Sequence, residues 1–466
     1  MILNNRSKKN KLTGSVAAII ILFIGGIVLA TQLEIFNLNQ TTEIPPQNSN
    51  EVDILAQEVT IPTQSSQEIE EVIPTEAEVA EILEDDNEDN NSARLQFAGD
   101  VFIHEGPLNV ARTGESTFNF HPFLENIASF IDGDFVMINM ESPVDAFGGN
   151  QNVAGWPYFN APFEILEALI DAGVNHVSSA NNHAFDKGLE GLINTVHNFE
   201  RAGITHTGLS VDMEAFNTPT IINTGGFNIG VLAYTDIVNR QGLALMPHDT
   251  LNFAVRRFRS YTLDDIPSIA NDISNLREAG AEIVVISLHW GAEYVDEPNN
   301  MQRLIASELS AAGADIIMGH HSKTVQPVEW IYRADGSRTL VMYSLGNFLV
   351  DQSRASQATV DSQIDTSWNT VLNTNFAGRT QFGMIVNLEI TRDETGSVIL
   401  EDAYVLPTLA MRDFSGNTLG TVDGVSIMPL IGGELPSSVV DEQLRLWGRV
   451  AYEHVTNIVG REFIRE

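Results

Sequence analysis

From Arg94 onward the chain alternates short apolar runs with amphipathic stretches. Each apolar run has four to six β-prone residues and ends abruptly in a polar cluster, which predicts buried strands. These runs are ARLQFAGD (93–100), DFVMINME (134–141), NHVSSANNH (175–183), EIVVISLHWG (282–291), ADIIMGHH (314–321) and TLVMYSLGN (339–347). Between them, apolar spacing predicts helices over 162–172, 267–280 and 301–313. This alternation predicts an α/β fold or a layered α/β sandwich with buried sheets.

The C-terminal stretch 437–459 has helical periodicity and predicts one amphipathic helix that begins near Ser437 or Ser438. We expect its apolar stripe to pack onto the main domain. The stripe comprises Leu444, Trp447, Ala451, Val455 and Ile458. We therefore divide this part of the chain into a main domain, 94–410, and a C-terminal extension, 411–466.

The N-terminus has the pattern of a membrane anchor. A basic stub (1–13) precedes the uncharged run 14–31, GSVAAIIILFIGGIVLAT. A helix of that length rises about 27 Å, close to the hydrocarbon thickness of a bilayer. The positive flank predicts a cytoplasmic N-terminus and an extracytoplasmic main domain. A cleaved signal peptide is the alternative.

Residues 32–93 contain no Lys or Arg and are rich in Glu and Asp, broken by prolines. Such a segment cannot bury enough apolar surface to fold, so we predict a disordered, self-repelling linker. The formal charge of the whole chain is -37. This charge argues against a nucleic-acid partner, because binding there depends on Lys and Arg. The absence of cysteine excludes disulfides, thiol nucleophiles and cysteine-ligated zinc.

The polar clusters at the strand ends carry the candidate chemistry. Ligand sites of α/β folds lie outside the carboxyl ends of the strands. The side chains found there are Asp100, Asn139, Glu141, Asn181, Asn182, His183, Asp186, His289, Glu293, His320 and His321. Carboxylate, amide and imidazole groups together predict a nitrogen and oxygen site suited to Zn, Mn or Fe.

These motifs resemble the CapA family of poly-γ-glutamate capsule-synthesis proteins, in the calcineurin-like metallophosphoesterase superfamily. The resemblance covers about residues 94–410. The matching segments are FAGDV (97–101), INMESPV (138–144), SANNHAFDKG (179–188), LHWGAEY (288–294), GHHSKTVQPVE (319–329) and YSLGNF (343–348). The resemblance implies a bacterial surface protein with a four-layer α/β/β/α sandwich, and two divalent metal ions between its sheets.

The resemblance also implies a role for each motif residue. The implied metal ligands are Asp100, Glu141 as the bridging residue, Asn182, His289, His320 and, as a further ligand, His321. His183 corresponds to the catalytic histidine that protonates the leaving oxygen. Asp186 either orients the His183 ring or stabilises a turn before Gly188. Glu293 is a candidate hydrogen-bond partner of His289.

One motif departs from the family pattern. Where the family commonly has Gly-His-His-Pro-His, this chain has Ser322 and Lys323 after the two histidines. At neutral pH Lys323 supplies a cation and not a metal ligand.

Three functions remain open on these residues. The first is a membrane-anchored phosphoesterase-like hydrolase with a two-metal centre. The second is an assembly factor without turnover that binds poly-γ-glutamate or another anionic polymer together with capsule-synthesis membrane proteins. The third is hydrolysis or transfer of γ-glutamyl amides at the same metal centre.

Overall fold

The computed structural model describes residues 91–147, 152–350, 378–413, 424–437, 439 and 442–465. The predicted anchor and nearly all of the predicted linker lie outside the described residues. Within the described ranges, no helix combines the length and the apolar character needed to span a membrane.

Helices and strands alternate through most of the described chain. The helices are α1 (Glu105–Ala111), α2 (His121–Leu124), α3 (Glu164–Asp171), α4 (Gly188–Ala202), α5 (Met213–Asn217), α6 (Arg240–Ala244), α7 (Ile266–Glu278), α8 (Asn300–Ala311) and α9 (Glu442–Val459). The strands are β1 (Ser92–Val101), β2 (Phe135–Met140), β3 (His176–Ser178), β4 (Thr205–Thr207), β5 (Thr220–Thr224), β6 (Phe227–Thr235), β7 (Ile283–His289), β8 (Ile316–His320), β9 (Val328–Tyr332), β10 (Arg338–Met342), β11 (Asn347–Leu349), β12 (Phe382–Arg392), β13 (Val398–Leu400), β14 (Tyr404–Asp413) and β15 (Gly424–Pro429).

The strands form two sheets. The first has the order β15-β14-β12-β1-β2-β3-β4, with β11 paired to β1 and β13 paired to β12. The second has the order β5-β6-β7-β8-β10-β9. The central strands of each sheet run parallel: β1, β2, β3 and β4 in the first, and β6, β7, β8 and β10 in the second. Their carboxyl ends therefore lie along one edge of each sheet.

Side-chain alternation along the strands builds three apolar layers. In β2, Val136 and Ile138 pack with the helices α3 and α4, whereas Phe135 and Met137 face the second sheet. In β7, Val285 faces the first sheet, and Val284 and Ile286 pack against α7 and α8 on the outer side. The predicted α/β fold is confirmed, and in the described core each sheet has helices on its outer face.

The structure corrects three details of the predicted architecture. The boundary at residue 410 falls inside β14, which pairs with β15 in the first sheet. The C-terminal segment is thus part of the same core, and Trp447 and Val455 of α9 are buried in it. Helix α9 begins at Glu442, later than predicted, because a turn at Pro436 precedes it. The long strands β6 and β12 were not predicted.

Two glycines permit the close approach of strand ends that forms the site. A Cβ at Gly99 would lie 2.1 Å from the Gly346 carbonyl oxygen, and one at Gly319 would lie 2.0 Å from that of Tyr343. Larger side chains would push β1 and β8 away from the segment 343–346. These glycines in FAGDV and GHHSK therefore belong to the packing of the edge.

Candidate metal centre

The carboxyl ends of both sheets contribute side chains to one buried cluster. Asp100 on β1 lies in register with Asn139 on β2, and His289 on β7 lies in register with His320 on β8. Contacts between the sheets include His320 Nδ1, which is 2.8 Å from Asp100 Oδ1, and His289 Nε2, which is 2.9 Å from Asn182 Oδ1. The predicted ligands are thus brought together, although their role as ligands stays a prediction.

One group within this cluster has the geometry of a metal site. Glu141, His289 and His321 each offer a ligand atom within 4.8 Å of the other two, and all three residues are buried. Glu141 Oε1 is 3.6 Å from His289 Nε2, the same nitrogen that lies beside Asn182 Oδ1. One carboxylate, two imidazoles and an adjacent amide oxygen suit Zn, Mn or Fe.

Unpartnered atoms in the cluster support this fit. Glu141 Oε1 and His321 Nδ1 have no hydrogen-bond partner among the described residues. His320 Nδ1, although 2.8 Å from Asp100 Oδ1, is not aligned for a hydrogen bond with it. Buried polar groups normally have partners, and a bound cation is one way to supply them.

Lys323 completes the cluster from the loop after β8. Its side chain is 1% exposed. Its Nζ donates to Asp100 Oδ2 at 3.1 Å and to Glu141 Oε2. The ammonium also lies 4.3 Å from the centre of the Phe102 ring. A buried cation therefore bridges the two carboxylates that the resemblance assigns to metal ions.

The two carboxylates differ in acidity. Burial alone would raise the pKa of Asp100, but the Lys323 ammonium and the His320 ring outweigh that effect and hold the pKa well below its usual range. Burial raises the pKa of Glu141 well above its usual value, with Lys323 opposing the rise and Asp100 adding to it. A cation bound beside Glu141 Oε1 would favour the ionised carboxylate.

Two imidazoles of the cluster, His289 and His321, are held in the form that binds metal. Burial, followed by the neighbouring His321, lowers the pKa of His289 well below its usual value. Burial and the Lys323 charge lower the pKa of His321 to about 3. Both rings are therefore neutral at physiological pH, as metal ligands must be.

His183 lies beside the cluster and is held by a carboxylate. Its Nδ1 is 2.7 Å from Asp186 Oδ2, which also accepts a 2.9 Å hydrogen bond from the Phe159 backbone N–H. Asp186 is buried, whereas the His183 side chain is 12% exposed. The contact fixes the orientation of the His183 ring. Asp186 contacts Nδ1 and not Nε2. Of the two roles considered for Asp186, this contact favours orientation of His183.

An aromatic wall lines this side of the site. The rings of Phe102 and Phe159 pack at 5.6 Å, and Phe159 meets the His183 ring edge-on at 4.7 Å. Together they shield the Lys323 ammonium and the His183–Asp186 pair from water. A low-dielectric surround strengthens the electrostatic contacts within it.

Three asparagines that hold the candidate ligands have no specific role assigned from the sequence. Asn139 donates to Asp100 Oδ1 at 2.8 Å, and Asn181 donates to the Met140 carbonyl at 2.9 Å. Asn239 N–H donates to the Asn182 carbonyl at 3.0 Å. Asn139 and Asn181 stand in strand-end motifs, where they are named among the candidate side chains without a role. Asn239 lies in a loop that carries no motif.

The prediction for Glu293 is not met by the described contacts. Glu293 is exposed, and the partners found for His289 do not include it. The strand β7 ends at His289, and the following turn takes Glu293 away from the ring.

The chain is similar to proteins of bacterial capsule synthesis. The family model "Bacterial capsule synthesis protein PGA_cap" matches residues 94–352. The PGA biosynthesis protein CapA of Bacillus subtilis (strain 168) is 31% identical over 259 residues, covering 55% of this chain and 63% of that protein. The capsule biosynthesis protein CapA of Bacillus anthracis is 24% identical over 268 residues, covering 57% and 61%.

The chain spans slightly under two thirds of these two relatives. Among solved structures, a protein described as a 5'-nucleotidase from Staphylococcus aureus aligns with a TM-score of 0.40 and 14% identity, over 78% of this chain and 58% of that one. The family match covers more than half of the chain and contains every candidate ligand. The chain therefore belongs to the bacterial capsule synthesis protein family PGA_cap.

Proposed function

We propose that this protein is a membrane-anchored, extracytoplasmic hydrolase that acts in the synthesis or export of poly-γ-glutamate capsule. The observation that carries the catalytic part is the buried cluster of Glu141, His289 and His321 with Asn182 beside it. The names of the Bacillus relatives support the capsule part. The basic stub and the uncharged run 14–31 support the anchor.

We infer that the cofactor is a divalent metal ion, namely Zn, Mn or Fe. The resemblance implies two ions, and that count stays a prediction. When bound, such metal supplies Lewis-acid chemistry and makes water a nucleophile at neutral pH. Neutral His289 and His321 and the Glu141 carboxylate are the residues that would hold it.

The chain's own acid is His183. With Nδ1 engaged by Asp186, Nε2 is positioned to give its proton to the leaving oxygen. Asp186 fixes the tautomer and stabilises the charged ring before the proton is given up. Phe102 and Phe159 exclude water from this side. These roles make phosphoester hydrolysis the reaction class that the site supports best.

Charge also constrains the substrate. The chain is strongly acidic, so an anionic polymer approaching it meets repulsion unless the site supplies local positive charge. Bound metal and the buried Lys323 are the sources of that charge. The partners proposed here are the membrane, poly-γ-glutamate or another anionic polymer, and membrane proteins of capsule synthesis.

The test is hydrolysis by the purified full chain in detergent after metal removal and readdition. We expect Mn or Zn to restore cleavage of an aryl phosphate mono- or diester, and His289→Ala to lose it. His206→Gln, a histidine outside the cluster, is the matched control. Cleavage of γ-glutamyl oligomers without phosphoester turnover would favour the amide reaction instead. Absence of both activities in metal-loaded protein would favour the assembly factor.

The capsule role is tested separately, by deleting the gene in the source organism and measuring surface poly-γ-glutamate. We expect the polymer to be lost, and to return with the wild-type gene but not with His289→Ala. Unchanged polymer after deletion would contradict this role.

A further inference from the structure

The resemblance implies two metal ions, but the contacts of one side chain point to a different count. We propose that this chain holds a single divalent ion, at Glu141, His289 and His321, and that the Lys323 ammonium permanently fills the other cation position, between Asp100 and Glu141. This inference rests on the metal site of the proposed function and specifies how many metal ions that site holds.

The two oxygens of Glu141 face two different cation positions. Oε1 is directed to the histidine group, 3.6 Å from His289 Nε2, whereas Oε2 accepts from Lys323 Nζ. A carboxylate shared in this way is the arrangement of a bridging ligand. One of the cations that it bridges belongs to the chain.

Asp100 is divided in the same way. Its Oδ1 lies 2.8 Å from His320 Nδ1 and accepts from Asn139, and its Oδ2 lies 3.1 Å from Lys323 Nζ. A metal ion bound to both Asp100 Oδ2 and Glu141 Oε2 would lie about 2.0–2.2 Å from each oxygen. The ammonium already lies between those oxygens, so an ion and Nζ cannot both be accommodated there.

Lys323 is built into this position. Its side chain is almost fully buried, with the ammonium over the Phe102 ring. The backbone of Lys323 has φ 62° and that of His321 has φ 88°, a left-handed region that non-glycine residues enter rarely. Asn347 Nδ2 donates to the Lys323 carbonyl at 3.3 Å, which fixes the turn. Swinging the ammonium away would leave a buried charge without its carboxylates.

The charge balance also favours one ion. One divalent ion and the ammonium bring three positive charges to the two carboxylates, Asp100 and Glu141. Two divalent ions and the ammonium would bring five, and like charges in a buried site disfavour one another. The small positive excess that remains with one ion suits an anionic substrate.

The count is measured by elemental analysis of the full chain in detergent, after equilibration with Mn or Zn and removal of free ion. We expect one ion per wild-type chain. We expect two for Lys323→His, because an imidazole replaces the ammonium and opens the position beside Asp100 and His320. Lys187→His, which places a histidine directly before α4, is the matched control. We expect this variant to hold one ion per chain.

Two ions in the wild type, or one in a folded Lys323→His variant, would overturn the inference. A wild-type chain that binds none would instead overturn the metal site of the proposed function, and the inference with it. If Lys323→His fails to fold, anomalous diffraction from metal-loaded wild-type crystals gives the number of bound ions. A single peak among Glu141, His289 and His321 supports the inference, and a second peak beside Asp100 contradicts it.

Discussion

Histidines are buried in two regions of this protein. One region is the strand-end cluster, with His289 on β7 and His320 on β8. The other lies on the neighbouring strands β3 and β4 of the first sheet, where the buried His176 packs near Phe135 and the half-buried His206 packs near Phe199. Burial is the main cause of the lowered pKa values of His289 in the first region and of His206 and His176 in the second, the pKa of His176 being about 3.

The regions differ in what surrounds the rings. His176 Nε2 and His206 Nδ1, like atoms of the strand-end cluster, have no hydrogen-bond partner within the described residues. His176 Nδ1 is 2.8 Å from the Thr205 hydroxyl, a neutral group. The strand-end rings instead meet Asp100 and Glu141. A buried, unpartnered imidazole is therefore not enough to indicate a metal site, and its convergence with carboxylates is the informative feature.

The largest expected effect comes from removing a carboxylate from the strand-end cluster. Glu141→Gln keeps the size of the side chain but removes the charge that holds the ion. Loss of an outer partner of a ligand typically costs 10–100-fold in metal affinity, so we expect a direct ligand to cost more than about 100-fold. Titration calorimetry with Mn or Zn measures this change.

The control for that variant is His176→Gln, which changes a buried histidine in the other region. We expect its metal affinity to match the wild type. If His176→Gln weakened binding as much as Glu141→Gln, the distinction between the two regions would fail.

A smaller effect is expected from Asp186→Asn, because this residue positions His183 and is not among the candidate metal ligands. General acid catalysis contributes about 10²–10⁴-fold to rate, and misorienting the ring should lose the lower part of that range, about 100-fold in kcat. Metal content and KM should change little. The pH profile of kcat should lose its alkaline limb, which a general acid produces when it loses its proton. Parallel loss of metal and activity would instead show that Asp186 supports the ligands.

Much of the site could be predicted because its residues follow buried strands. Asp100, Glu141 and the histidines stand at the carboxyl ends of runs whose strand character was clear from β-prone residues. In β3 only His176–Ser178 is regular strand, yet the polar segment after it still reaches the site. Parallel strands carry such ends to one edge, so order along the chain becomes proximity in space.

Other features depend on contacts that no local pattern carries. Pairing of β12 with β1 joins segments that are nearly 300 residues apart. Strand β14, which pairs with β12, runs across the boundary predicted at residue 410. The place of Lys323 between two carboxylates depends on left-handed backbone at His321 and Lys323. The sequence motif showed a lysine where the family commonly has a histidine, but not that the ammonium of this lysine would lie between two carboxylates.

The smallest expected effect is the contribution of His176 to the pH dependence of the free energy of unfolding. Its pKa is about 3 in the folded protein and about 6.5 in the unfolded chain. Below pH 6.5 the unfolded chain therefore binds more protons, and the free energy of unfolding falls as the pH is lowered toward 3. Between pH 6.5 and 5 the His176 contribution is roughly 2 kcal/mol. The difference between wild type and His176→Gln in denaturant unfolding at each pH measures it.

His176→Gln removes this titration, so its stability should fall less steeply than that of the wild type over the same pH range. At every pH at which both proteins are folded, the metal content of His176→Gln should equal that of the wild type. That pair of results would separate a histidine whose burial affects stability alone from histidines whose burial also prepares them to bind metal. Equal slopes for variant and wild type would mean that the His176 ring binds protons equally in the folded and unfolded states, and would remove it as the contrasting case.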